Sequence, residues 1–348
     1  ESAGTVEFLV DDESGDFFFL EVNTRLQVEH PVTEAVTGLD LVREQLRVAA
    51  GAPLSLAQEE VQWDGAAIEV RLYAEDPVSG FLPATGTLVA FAPAAEPAVR
   101  WDSGVVAGSV VGVDFDPMLA KVTAHAPSRA EAAARLALAL ERTHLGGVTT
   151  NRDFLVATLR SREFLAGDTT TDFIERVAPA RRLAPSDAEL AHVAAVAALW
   201  LQGGNRAQAG VLESIPSGWR NARLPDQSVA FACGDREIAV SYRRLRDGRF
   251  ELSGVGDGRR AARLHAWTPE SVDVEVDDRR YRSRVTRSGD RLIVATPRGD
   301  VELVVQPRFP LPGASAVAGG LVAPMPGKVI AVRVVEGDAV KAGDVLVV

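Results

Sequence analysis

The sequence predicts an α+β multidomain protein, and three observations carry that expectation. Strand-like and helix-like periods alternate through residues 1–178. One apolar helix pattern opening at Ser186 is then followed by a run of short strand patterns that ends near Gln306. A Pro-, Gly- and Ala-rich stretch, 307–320, finally separates that run from a short strand-like end, 321–348. With 348 residues and 47% apolar content, the chain is long enough for two or three cores.

Residues 1–51 read as strand, turn, strand, then helix. Asp11-Asp12-Glu13-Ser14-Gly15-Asp16 is the turn between two apolar runs, the second being Phe17-Phe18-Phe19-Leu20. Leu39 to Ala50 has helical spacing, and Gly51 supplies a stop. Residues 61–125 alternate apolar and polar between Gly and Pro breaks, the pattern of antiparallel strands. Ser128-Arg129-Ala130-Glu131 is a capping box before an Ala-rich helix over 129–143, and a short helix follows from Arg152 to Leu159. Gly146-Gly147 lacks a phosphate-loop lysine and reads as a helix end.

The segment 179–185, with two prolines and two arginines, is the linker. Ser186-Asp187-Ala188-Glu189 is a second capping box, opening a helix closed by Gly203-Gly204. Strands six to nine residues long then alternate with turns such as Asp247-Gly248 and Ser288-Gly289. One helix followed by antiparallel strands predicts a helix plus β-barrel domain over 186–306. A flexible tether, 307–320, leads to the last unit, 321–348.

The stretch Glu21 to Glu29 is the most informative. Every second residue, Glu21, Asn23, Arg25, Gln27 and Glu29, is of a type that binds a cation or an anion. In an extended chain these side chains share one face. An ordinary solvated strand carries Thr, Ser and scattered charge instead.

Phe19-Leu20-Glu21-Val22-Asn23-Thr24-Arg25-Leu26-Gln27-Val28-Glu29-His30-Pro31-Val32-Thr33-Glu34 resembles the signature of the biotin carboxylases, ATP-grasp enzymes that carboxylate biotin. The shorter core E-x-N-x-[KR] is shared with other ATP-grasp ligases; Gln27, Glu29, His30 and Pro31 narrow the match. Ala67-Ile68-Glu69-Val70-Arg71, Phe81-Leu82-Pro83, Arg100-Trp101-Asp102-Ser103-Gly104, Asp114 to Lys121 and Gly147 to Asn151 resemble the family's C-terminal subdomain. Residues 1–178 are therefore expected to be the end of an ATP-grasp unit plus that subdomain. Ile215-Pro216-Ser217-Gly218-Trp219-Arg220-Asn221 resembles the linking domain of acyl-CoA carboxylase biotin-carrying (alpha) subunits. Ala323-Pro324-Met325-Pro326-Gly327-Lys328, with Val335-Glu336-Gly337-Asp338, resembles the first half of a β-sandwich biotin carrier domain, with a lipoyl carrier as the alternative. The family's acceptor lysine stands between two methionines beyond the Gly-Asp strand. The chain stops at Val348 before any such residue, and Lys121, Lys328 and Lys341 lack those neighbours, so it reads as a fragment at both ends.

The resemblance implies roles. Glu7 and Glu21 match the family's metal carboxylates, for magnesium or manganese bridging ATP phosphates, and Asn23 adds an amide oxygen. Arg25 clamps bicarbonate, which Gln27 and the Val28 backbone help to orient. Glu29 is the base that deprotonates bicarbonate on the way to carboxyphosphate. The bland alternative is a structural Arg25–Glu29 ion pair. Arg71 stabilises the enolate-like oxygen of deprotonated biotin. Asp116 either holds an arginine or is a turn carboxylate before Pro117. Arg100 lies where the family makes its homodimer contact. His30 is structural, and the other histidines form no metal pattern.

The expected function is the alpha subunit of a biotin-dependent acyl-CoA carboxylase. It would carboxylate carrier-bound biotin from ATP and bicarbonate, and dock on a carboxyltransferase (beta) subunit through the linking domain. The alternatives are a non-catalytic docking and assembly fragment, or another ATP-grasp ligase. A net charge of −11 argues against nucleic acid and anionic membrane. No apolar run spans a bilayer and no signal peptide is present. One cysteine, Cys233, suits a reducing compartment. The expected location is cytoplasmic in a bacterium, with the mitochondrial matrix as the other choice.

Overall fold

A hairpin opens the chain: Thr5–Val10 pairs antiparallel with Phe17–Asn23, with Glu7 opposite Glu21 and a bulge at Glu7/Phe8. This is a computed structural model, and it describes residues 2–348 except 212, 213, 216, 217, 220, 223, 224, 310–327, 342 and 343. They form two units, Glu1–Arg308 and Phe309–Val348.

The second strand of the hairpin ends at Asn23, and this corrects the extended reading of Glu21 to Glu29. The chain turns at Val28–Glu29 and enters a helix, His30–Thr37, with Pro31 in its first turn. Proline is accepted there because the first turn's N–H groups have no partner within the helix. The next helix, Leu41–Ala49, begins where the Asp40 side chain accepts from the Arg43 N–H.

Three antiparallel strands carry the middle of the first unit, in the order Ala66–Tyr73, Met118–Ala126, Val99–Ser103. Their two faces differ completely. Ile68, Val70, Val122, Ala124, Val99 and Trp101 pack against Ala132, Leu136 and Leu140 of the helix Arg129–Arg142. On the opposite face the same register aligns Arg71 with Lys121 and Asp102, and Glu69 with Thr123 and Arg100. Ser128 caps the helix, accepting from the Glu131 N–H.

His144–Gly146 is a short strand, so Gly146-Gly147 is not a helix end. Gly146 lies where a Cβ would meet Ile293 at 2.7 Å, and the left-handed φ of +106° at Gly147 favours glycine. The helix Arg152–Arg160 follows. The segment after Val177 is pinned down: Arg181 donates to the Pro77 carbonyl at 2.8 Å, and the Leu183 N–H donates to Asp153 at 2.9 Å.

Helix Asp187–Ala207 starts at the Ser186–Glu189 capping box and is buried on all sides over Val193 to Trp200. It runs past Gly203-Gly204, correcting the expected stop. Gly203 is needed because the Trp267 ring lies where a side chain would be, and Trp267 Nε1 donates to the Trp200 carbonyl at 2.8 Å. Eight antiparallel strands from Gln227–Cys233 to Gly299–Val305 close into a barrel that shares one core with this helix. The helix-plus-barrel expectation is borne out.

In the second unit, residues 330–333 lie against 346–348, with Val332 bridging Val347 and the Arg333 N–H donating to the Leu346 carbonyl at 2.9 Å. Most of the tether and Ala323 to Gly327 of the carrier motif lie outside the described residues, as do Pro216, Ser217 and Arg220 of the linking motif.

Candidate functional site

Two clusters of charged and amide side chains lie in the first unit. The first grows from the hairpin's register. Glu7 and Glu21 are direct cross-strand neighbours, and Asn23 follows two residues later on the same face. Asn23 Nδ2 donates to Glu7 Oε1 at 2.8 Å and to Glu21 Oε1 at 2.9 Å, and Gln27 Nε2 donates to Glu7 Oε1 at 3.0 Å. The bulge beside Glu7 turns the strand locally, as bulges near functional sites commonly do.

The second cluster lies where Glu29, just before the His30 helix, meets the charged face of the three-stranded sheet. Arg71 donates through Nη2 to Glu29 Oε1, joining residues 42 apart in sequence. Both side chains remain partly open, 40% exposed for Arg71 and 48% for Glu29. Lys121, aligned with Arg71 on the next strand, donates to the Val28 carbonyl at 3.1 Å, fixing the turn that carries Glu29. Arg100 holds Glu34 of the same helix at 2.7 Å and Asp102 at 2.9 Å. His30 Nδ1 lies 2.8 Å from the Gln27 carbonyl, which suits the structural role expected of it.

Glu69 lies beside these cations with one oxygen accepting from Thr123 Oγ1 at 3.1 Å and the other, Oε1, buried without a partner. Burial pushes the Glu69 carboxyl up; the Thr123 bond and the Lys121 charge counter this in part. For Arg71, burial lowers the guanidinium, but the bonds to Tyr73 and Glu29 outweigh it and raise it. It stays a cation throughout.

The expected site residues are thus only partly gathered. Glu7, Glu21, Asn23 and Gln27 form one hydrogen-bonded group, and Glu29 with Arg71 forms another. Arg25 joins neither: it is exposed, with Nη1 3.5 Å from the Leu26 carbonyl, and makes no ion pair with Glu29. Asp116 is a turn carboxylate that accepts from the Met118 N–H at 2.9 Å. Sequence reasoning missed Lys121, Glu34 and Glu69. The signal was the period-two pattern of Lys121 and Thr123 opposite Arg71 and Glu69, legible only once the strands are paired.

The donor set can be tested against a divalent cation. Two facing carboxylates are balanced here by amide N–H groups alone, and magnesium is commonly held by one or two carboxylates together with substrate phosphates. Glu7, Glu21 and the Asn23 oxygen fit such an ion. Among the described residues no group of three or more His, Cys, Asp or Glu side chains would hold a metal without other ligands.

Residues 69–176 match the biotin carboxylase C-terminal domain, 1–57 the ATP-binding domain of the carbamoyl-phosphate synthase L chain, and 188–308 the BT domain of the methylcrotonyl-CoA carboxylase alpha subunit. Along nearly its whole length the chain is therefore similar to alpha subunits of acyl-CoA carboxylases. It is 34% identical to the mitochondrial methylcrotonoyl-CoA carboxylase subunit alpha of Rattus norvegicus, over 99% of this chain and 50% of that protein. It is 36% identical to the propionyl-CoA carboxylase alpha chain of Ruegeria pomeroyi, over 99% of this chain and 54% of that protein. The chain therefore spans about half the length of these curated relatives. Among solved structures, the biotin carboxylase domain dimer of Hydrogenobacter thermophilus 2-oxoglutarate carboxylase, in complex with MgADP, ADP and bicarbonate, is similar. Its TM-score is 0.51 at 38% identity, over 53% of this chain and 40% of that one. No helix among the described residues is long and apolar enough to cross a membrane.

Proposed function

We propose that this chain supplies the carboxylation centre of an acyl-CoA carboxylase alpha subunit. That subunit uses ATP and bicarbonate to carboxylate carrier-bound biotin, for transfer to an acyl-CoA on a carboxyltransferase subunit. The observation that carries the reading is the contact between Glu29 and Arg71. A carboxylate suited to take a proton from bicarbonate stands beside a guanidinium suited to an enolate-like oxygen.

Each residue then has a task that follows from its chemistry. Glu29 accepts the bicarbonate proton, with Arg71 directly beside it. Arg25, exposed and without an ion-pair partner among the described residues, offers a planar fork of donors to a planar oxyanion. Gln27 and the Val28 backbone orient that anion, and Lys121 holds the turn they sit on. Arg71 has N–H groups on its exposed side to face the ureido oxygen of biotin once that oxygen gains charge. Glu7, Glu21 and Asn23 would hold magnesium or manganese, whose positive charge offsets that of the ATP phosphates. Biotin supplies the ureido nitrogen that takes up the carboxyl group.

The barrel is proposed as the surface for the carboxyltransferase, and the sheet edge at Arg100 as part of a homodimer contact. We assign the protein to the bacterial cytoplasm or the mitochondrial matrix. The deciding assay is bicarbonate-dependent ATP cleavage with free biotin by the complete subunit. Glu29→Gln is expected to abolish turnover with the fold intact. Undiminished turnover in the variant would reject the assignment.

A further inference from the structure

The motif Gly147 to Asn151 takes no part in the site described above, yet it ends beside Arg71. Gly147 passes so close to residues 87–89 that a Cβ there would run into the Thr87 carbonyl oxygen. The chain then reaches Asn151, which is 6% exposed and stands immediately before the helix Arg152–Arg160. Asparagine at such a position usually caps its helix with its own side chain. The Asn151 side chain makes no cap bond. Both of its polar atoms go to the strand Ala66–Tyr73 instead. Oδ1 accepts from the Tyr73 N–H at 2.9 Å, and Nδ2 donates to the Arg71 carbonyl at 3.1 Å. The Asn151 backbone N–H adds a third bond, to the Tyr73 carbonyl at 3.1 Å.

These bonds fall where the strand has least support. It is the outer strand of its sheet, paired only with Met118–Ala126, and that pairing slips between Met118 and Ala120, opposite Tyr73 and Leu72. Such an irregularity interrupts the ladder, and backbone groups on the free edge need partners from elsewhere. Asn151 supplies three bonds to Arg71 and Tyr73 alone. Residues two apart in a strand direct their side chains to one face. The Tyr73 side chain bonds the Arg71 guanidinium, which also donates to Glu29. One buried residue therefore fixes the backbone under Arg71 and under the side chain that steadies it. A helix cap would explain none of these bonds.

We propose that Asn151 is a positioning residue for the biotin step: it holds the Arg71–Tyr73 segment so that the guanidinium meets the oxygen on which charge develops. This rests on the role given to Arg71 above. Misplacing such a group by about 1 Å can cost about a hundredfold in rate.

The test uses the complete subunit, with turnover measured over a range of free-biotin concentrations and nucleotide affinity measured by calorimetry. Asn151→Ala is expected to lower turnover with biotin about tenfold or more and to leave nucleotide affinity at the wild-type value. Asn151→Asp is the second variant, for the case in which Asn151→Ala does not fold. It keeps the acceptor for the Tyr73 N–H and loses only the donor to the Arg71 carbonyl, so it is expected to fold and still to lose turnover. Wild-type turnover in either folded variant, or a fall in nucleotide affinity as large as that in turnover, would overturn the proposal. Arg71→Ala run in parallel separates the two failures. If it also keeps wild-type turnover, the role of Arg71 is what fails; if it alone loses turnover, only the role of Asn151 does.

Discussion

Asp300 ties the carboxylase subdomain to the barrel, and its removal should loosen that junction. Its side chain is 4% exposed, as is that of His144. It accepts from His144 Nδ1, from the Leu145 N–H at 2.9 Å and from Arg152 Nη1 at 2.7 Å, while His144 Nε2 lies 2.9 Å from Thr286 Oγ1. Asp300→Ala leaves Arg152, 10% exposed, with only the longer 3.6 Å pairing to Asp153, and the Leu145 N–H without its acceptor. Removing one partner of a buried ion pair typically costs about 3–5 kcal/mol. Stabilities of whole domains are only about 5–15 kcal/mol, so the loss is a large share. Burial pushes the Asp300 carboxyl up, but the His144 bond and the Arg152 charge outweigh it and hold it below the usual range. The folded state therefore binds the Asp300 proton less tightly than the unfolded chain. The stabilisation is complete above the ordinary aspartate pKa and is lost as pH falls through the lower folded value. Urea unfolding followed by near-ultraviolet circular dichroism should show a much lower midpoint for Asp300→Ala at pH 7. Asp300→Asn should fall between, and either variant should remove this acid-dependent part of the loss. An Asp300→Ala midpoint equal to wild type at pH 7 would refute the reasoning.

In the complete subunit, Arg71→Ala should spare nucleotide affinity and damage biotin carboxylation, which paired nucleotide-binding and turnover measurements check; equal falls in both would contradict its role. Glu29→Gln should remove turnover and leave the melting temperature close to wild type. Glu69→Gln should stabilise the protein at neutral pH, since it removes a carboxylate whose pKa burial raises. A raised folded pKa penalises the ionised form, so the gain should shrink as pH falls below the folded value, as melting temperatures across pH would record. Gly203→Ala places a Cβ 2.4–2.9 Å from three Trp267 ring atoms. Overpacking of about 1–3 kcal/mol should exceed the helix-propensity gain of about 1 kcal/mol, lowering the melting temperature and altering tryptophan fluorescence.

What was legible in the sequence is what local chemistry decides. The capping boxes at Ser128 and Ser186 mark true helix starts because the serine hydroxyl and the backbone N–H it serves are three residues apart. The barrel announced itself through turns at short intervals, and the acidic pair Glu7 and Glu21 through strand alternation. Alternation misled where it continued beyond the strand. Residues Arg25 to Glu29 kept the period of two, yet Pro31 favoured a helical first turn and Asn23 closed the hairpin. This turn is what frees Glu29 from the face of Glu21 and brings it to Arg71, so the departure from local pattern makes the proposed base–cation pair. The features that join distant parts left no local mark. His144 and Asp300 are 156 residues apart, and nothing near either residue calls for the other. Gly203 looked like a stop because glycine ends helices cheaply, but its missing side chain serves a tryptophan from the barrel. In each case the deciding partner comes from another element, so strand order had to be known before the residue's purpose could be read.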